Sequence, residues 1–225
     1  MSIPCLSVDY LQQIYRHRFP KEQWQSRNEI WSTLCKHFLQ KYIKPSDVVM
    51  DMGAGYCEFL RHIKCYRKIA VDKNPDTKKF ATSDIEVLRE DVKEIPPKFF
   101  GKIDVIFMCN FLEHLNSKEE LLQVLELSYQ LLKKDGVLLV LQPNINLTKE
   151  RYWSFFDHKL PLNEDSVKEV LQLAKFTLKQ QIKRFLPYTT KSSLPQLPFL
   201  VWLYLKMPTF LRPFAGQSFF LANKD

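Results

Sequence analysis

Apolar positions along the chain follow two rhythms. Short β-branched and apolar runs at 48–51, 69–71, 102–110 and 137–141 have the length of buried strands. Between them, apolar residues recur three and four positions apart. Ile30, Leu34 and Phe38 mark one face of a helix over 26–42, with Ser26 and Glu29 in capping-box spacing at its start. Ser117 and Glu120 repeat that spacing ahead of a helix over 118–134, with acids at its start, lysines at its end and Gly136 as the stop. Asn163 or Asp165 starts a further helix carrying Val167, Val170, Leu171 and Ala174 on one face, and 176–185 predicts a strand. Gly216 to Ala222 predicts the last strand, antiparallel at the sheet edge. Strands alternating with helices predict a mostly parallel sheet with right-handed crossovers.

The chemistry gathers at the ends of those strands. The first run stops at Asp51 and is followed by Met52-Gly53-Ala54-Gly55-Tyr56-Cys57-Glu58. This is the pattern of a strand, a tight turn and a helix over about 58–64. Glycine lets the backbone take unusual angles and approach a bound molecule, and the helix amides favour an electron-rich group. Nineteen residues after Gly53 the second strand ends at Asp72, and nineteen further on stands Asp91. Three strand-end acids so spaced predict a nucleoside held across the carboxyl edge of the sheet. Asp72 can accept both ribose hydroxyls. Asp91 can accept from a purine amino group while the Val92 amide donates to the ring. Asp51 can order the turn or accept from an ammonium.

These residues, with Asn110-Phe111-Leu112-Glu113-His114-Leu115 after the fourth strand, resemble the class I S-adenosylmethionine-dependent methyltransferases over roughly 27–185. Cys57 departs from the pattern, standing where many relatives carry a third glycine. The resemblance implies a Rossmann-like α/β fold: a seven-stranded, mostly parallel sheet flanked by helices, with an antiparallel last strand. It implies S-adenosyl-L-methionine as cofactor, held by Asp51, Gly53, Ala54, Gly55, Tyr56, Asp72, Asp91, Val92 and Asn110. It divides the chain into a helical cap (1–47), the cofactor-binding core (48–186) and a basic, apolar extension (187–225). Helices ahead of the first strand cover the cofactor in this family, so Tyr10, Arg16 or Arg27 would reach the methionine carboxylate. Phe111 and Leu112 would wall the cleft.

A sulfonium is already a reactive methyl donor, so the protein aligns the acceptor and excludes water. A hydroxyl acceptor also needs a base. His114 and His158 stand where family active sites lie, and His158 is the preferred base. Asp157 and His158 adjoin in sequence and need not face each other. No metal-ligand set stands out, so transfer is expected to be metal-independent.

Net charge is +8, spread as +3 over 1–47, −2 over 48–132 and +7 over 133–225. The positive last third favours an anionic partner. Residues 197–208 are densely apolar, proline-flanked and too short to cross a bilayer. They are expected to form a lid or part of the core, an oligomer face or, with the rest of 197–214, a peripheral membrane contact. Cys5, Cys35, Cys57, Cys65 and Cys109 lack C-x-x-C spacing and read as reduced thiols of a cytoplasmic protein. Phe156-Asp157-His158, the 187–192 link and the proline-broken tail are similar to bacterial methyltransferases expected to serve surface-glycan assembly. That likeness implies O-methylation of a sugar, small or lipid-linked. The alternatives are an RNA methyltransferase, although no separate RNA-binding module is present, and a cofactor-binding partner subunit without turnover. A nicotinamide dehydrogenase would share the turn and Asp72, but Asp91 and Glu58 count against it.

Overall fold

The computed structural model describes residues 8–188 and 197–225; Cys5 and the 189–192 part of the polar link lie outside them. Seven strands form one sheet: β1 (Val48–Met52), β2 (Arg67–Val71), β3 (Ile85–Leu88), β4 (Ile103–Cys109), β5 (Leu132–Pro143), β6 (Thr177–Pro187) and β7 (Ala215–Asn223). Their order is β3-β2-β1-β4-β5-β7-β6. The first five pair in parallel, and β7 is antiparallel to both β5 and β6. This is the Rossmann-like sheet that the resemblance implied, and its parallel part agrees with the alternating pattern.

The last strand is not at the edge. It lies one strand in, because both of its faces are apolar: Phe219 packs into one core and Phe220 and Ala222 into the other. Strand β6 carries exposed polar residues in alternation, which suits an edge.

The helices are α1 (Val8–Arg18), α2 (Trp24–His37), α3 (Glu58–His62), α4 (Thr77–Phe80), α5 (Lys118–Leu131), α6 (Ile145–Thr148), α7 (Glu164–Leu173) and α8 (Pro198–Lys206). Successive strand residues feed opposite faces of the sheet. Met50 and Met52 pack with α5 and α7 through Leu121, Val124, Leu125, Val167 and Leu171. Val49 packs with α2 and α3 through Leu34, Cys35, Phe59 and Leu60.

Several predicted boundaries move: α2 already stops at His37 and α3 at His62, and β5 starts at Leu132. Helix α2 begins at Trp24, after a 3₁₀ turn led in by Pro20. Ser26 donates back to the Gln23 carbonyl (3.0 Å) and Glu29 accepts from Gln25 (3.2 Å), so neither caps the helix. Helix α5 ends at Leu131 rather than running to Lys134, because Leu132 already pairs with Ile103 of β4; Asp135 then takes a left-handed φ of 62°. Ser117 does cap α5, accepting from the Glu120 amide (3.2 Å), and Asn163 caps α7 in a full capping box.

The apolar run at 197–208 is helix α8, started by a proline in its first turn and packed against α2. The buried Arg212 guanidinium fastens its end, donating to the carbonyls of Leu205 (3.0 Å), Met207 (3.2 Å) and Phe185 of β6 (3.1 Å). One charge of the basic tail is thus spent inside the fold, on carbonyls a helix end leaves unpaired.

Candidate active site

Strand order reverses between β1 and β4, and the crevice outside their carboxyl ends is the ligand position of such sheets. The turn after β1 has three successive departures into left-handed backbone: Gly53 (φ 81°), Gly55 (53°) and Cys57 (59°). A Cβ on Gly53 would lie 2.7 Å from the Phe111 ring, and one on Gly55 would lie 3.2 Å from Tyr15. Cys57 adopts at its own cost the angle that glycine takes freely, about 1–2 kcal/mol for a residue with a Cβ. The Gly53 amide donates to the Val71 carbonyl (2.9 Å). Asp72 completes the brace: its two oxygens accept from the amides of Gly55 (2.7 Å) and Asn74 (2.8 Å). Burial pushes its carboxyl up, while these two amides pull the other way.

The crevice has two lobes that share Tyr15, Gly53, Asn110 and His114. One lobe, of ≈ 150 Å³, is walled by Asp72, Asp91, Val92, Phe111 and Leu115. The other, of ≈ 90 Å³, holds Asp51, Ala54, Gly55 and Tyr56 on the turn side and Glu113 and His158 opposite. Asp51, Gly53, Ala54, Gly55, Tyr56, Asp72, Asp91, Val92 and Asn110, which the resemblance assigns to the cofactor, therefore all border one lobe or the other. Asp91 faces Lys73 (2.5 Å) and accepts from the Lys93 amide (3.0 Å). Asp51 is buried, and burial first, then Asp72 and Glu58, drive its carboxyl well above the usual range. Asn110 holds a left-handed φ of 49°, and its side-chain oxygen accepts from Gln217 (2.6 Å).

His114 and His158 meet edge to face, ring centroids 5.1 Å apart. Asp157 does not face His158. It pairs with Arg18, and its carbonyl accepts from His114 Nδ1 (3.0 Å). Burial resists ionisation of Asp157, but His114 and Arg18 hold it below the usual carboxylate range. His158 Nε2 lies 3.3 Å from the Tyr188 hydroxyl, and burial and then His114 push the imidazole down to about 4. Glu113 is wholly buried between them, raised by that burial.

Some expected residues are elsewhere. Tyr10 is exposed outside the cleft, and Arg16 reaches outward to Asp76 (3.4 Å). Leu112 is fully buried in the core and walls nothing, whereas Phe111 does. Arg27 lies at the cleft, its guanidinium 3.8 Å above the Phe19 ring and paired with Glu58. Helix α8 contributes no lining side chain to either lobe, which removes the lid reading for its described residues. Tyr15, Arg18 and Tyr188 carry no site role in the sequence reading, and Glu113 enters it only as a member of the 110–115 motif. Tyr15 and Arg18 lie three apart on α1, a spacing that puts both on one face. Tyr188 has no local signal.

A glycine turn that a Cβ would obstruct, with carboxylates on adjacent strand ends, defines a nucleoside-cofactor protein of the Rossmann-like class. The family described as a methyltransferase domain matches residues 23–194, and the chain belongs to it. S-adenosylmethionine is its cofactor. Among solved structures, a Haloferax volcanii protein in complex with the Trm112 methyltransferase activator is similar: 13% identity, 95% of this chain and 98% of that one, TM-score 0.68. A SAM-dependent methyltransferase from Archaeoglobus fulgidus matches at 21% identity over 90% and 98%, TM-score 0.64. Another from Thermotoga maritima matches at 14% over 96% and 100%, TM-score 0.64. No curated protein matches the chain. Among the described residues no helix is long and apolar enough to cross a membrane.

Proposed function

We propose that this methyltransferase acts on a hydroxyl oxygen of a sugar, small or lipid-linked. One observation carries the reading. A broad hollow of ≈ 520 Å³, bordered by Tyr10, Ile14, Phe155 and Phe156, shares Arg18 and Phe155 with the histidine lobe. Aromatic faces suit the C–H faces of a sugar ring, and the Arg18 guanidinium suits its oxygens. An acceptor lying there would be next to the lobe that holds His114 and His158.

When bound, S-adenosylmethionine supplies a methyl group on a sulfonium, which leaves as a neutral thioether once the oxygen–carbon bond forms. Asp72 would hold the ribose, Asp91 and the Val92 amide the purine, and Gly53, Ala54, Gly55 and Tyr56 the rim around the methionine end. Asp51 is the carboxylate nearest the turn for an ammonium, and Asn110 lies beneath the junction of the two lobes. The hydroxyl proton passes to the histidine pair. His114 is the more exposed of the two; His158, held near 4, is a weak base on its own.

Helix α8 and the turn after it expose Phe199, Leu203, Phe210, Leu211 and Phe214. That apolar rim beside Lys206 supports a peripheral contact with an anionic membrane, where a lipid-linked sugar would be met. Methyl transfer from labelled cofactor into separate glycan, lipid and RNA fractions tests the proposal. Label in the glycan or glycolipid fraction is the expected result. Label confined to RNA overturns it.

A further inference from the structure

We propose that Glu113, His114 and His158 form a binding site for a divalent transition-metal cation at the acceptor end of the cleft. Their donor atoms, one carboxylate oxygen and one ring nitrogen from each histidine, all lie within 4.8 Å of one another. Glu113 Oε1 is 3.8 Å from His114 Nε2 and 3.8 Å from His158 Nε2.

For His114 and Glu113 the hydrogen bonds say which atoms carry lone pairs; His158 Nε2 is within 3.3 Å of the Tyr188 hydroxyl, which can donate to it or accept from it. The Asp157 carbonyl only accepts, so His114 Nδ1 bears the proton in its 3.0 Å bond. In the neutral ring His114 Nε2 is then an acceptor, directed at a carboxylate oxygen that is itself an acceptor. Glu113 Oε2 is already held by the Gln142 amide (3.1 Å), whereas Oε1 has no hydrogen-bond donor among the described residues. Acceptors converging on one buried point repel unless a positive charge stands between them. A proton shared by the pair would do this, and so would a metal ion.

Three further features favour the metal. A ligating histidine characteristically donates its second ring nitrogen to a carbonyl or carboxylate, and His114 does so to Asp157. The nearby Arg18 charge is matched by Asp157, so it does not oppose a cation. The three residues come from two segments held firmly together: the Lys159 and Leu160 amides donate to the Glu113 carbonyl (2.8 and 3.1 Å), which fixes the His158 segment against the end of β4.

Two imidazoles and one carboxylate suit Mn²⁺, Fe²⁺, Co²⁺ or Zn²⁺ better than Mg²⁺, and they leave coordination positions open. The three residues line the lobe that shares Arg18 and Phe155 with the aromatic hollow. The role there, which rests on the sugar-hydroxyl reading, is to orient the acceptor oxygen and ease loss of its proton; with both imidazoles engaged as ligands, water rather than the histidine pair takes that proton. This departs from the metal-independent transfer expected from sequence.

Titration of Co²⁺ into chelator-treated protein, followed by its visible absorption, tests the site without any acceptor. One Co²⁺ per chain is expected, displaced by Zn²⁺, with affinity reduced at least tenfold in Glu113→Gln, His114→Ala and His158→Ala. Of these, His114→Ala changes a partly exposed side chain and keeps the test decisive if a buried variant does not fold. Absence of Co²⁺ binding by parent protein that still binds S-adenosylhomocysteine in calorimetry overturns the cation site and leaves the methyltransferase reading intact. Equal Co²⁺ affinity in parent and His114→Ala overturns it as well.

Discussion

Replacing Asp72 by asparagine separates the two duties of that residue. In the structure each carboxylate oxygen accepts one backbone amide, from Gly55 and from Asn74, and the side chain is buried. Asparagine has the same shape but offers one acceptor and one donor group. Whichever way the amide turns, one backbone N–H meets another N–H. A buried amide left unpaired costs about 1–3 kcal/mol. In a chain of this length each kcal/mol lowers Tm by about 2–4 °C, so a fall of about 2–12 °C is expected. The second duty is to the ribose. Losing one hydrogen bond to a charged acceptor costs about 1.5–3 kcal/mol, or roughly a 10- to 150-fold rise in Kd. Calorimetric titration with S-adenosylhomocysteine, well below the lowered Tm, reads the binding loss apart from the stability loss. A Kd within twofold of the parent value would refute the ribose assignment and leave Asp72 as a clamp on the turn. An unchanged Tm would refute the clamp.

Gly53→Ala forces a Cβ into left-handed backbone and to 2.7 Å from the Phe111 ring. Phe111 must shift out of the wall it forms, and calorimetry should show cofactor affinity reduced at least tenfold. Arg212→Met removes the donor from the carbonyls of Leu205, Met207 and Phe185, each within 3.2 Å. A loss of about 3 kcal/mol is expected, from unpaired carbonyls, with faster proteolytic cleavage between 197 and 214. Phe199→Glu with Leu203→Glu changes exposed residues only, so Tm should hold while flotation with anionic vesicles is lost; unchanged flotation would refute the membrane contact.

Much of the fold was legible because its signals are local. Buried parallel strands appear as unbroken apolar runs, and Ser117 and Asn163 mark helix starts through their own side-chain chemistry. The cofactor side was legible for a related reason: the glycine turn, Asp72 and Asp91 each follow a strand, so topology alone carries them to one edge. What stayed hidden depends on distant partners. The place of β7 inside the sheet follows from Phe219 and Phe220 serving opposite cores. Helix α5 stops where pairing with β4 claims Leu132, a contact that no helix signal encodes. Arg16 and Arg18 look alike in sequence, yet a two-residue step on α1 turns one toward Asp76 and the other toward Asp157. The acceptor end was hardest to read, because Glu113, His158, Arg18 and Tyr188 come from four separate segments.

The account stands on the cleft between β1 and β4 holding a sulfonium-bearing nucleoside, and a crystal structure with S-adenosylhomocysteine tests that most directly. The expected result puts the ribose on Asp72, the purine beside Asp91 and Val92, and the sulfur at the junction of the lobes near Asn110 and His114. Ligand bound away from the Gly53–Gly55 turn, or with its purine in the histidine lobe, would contradict it.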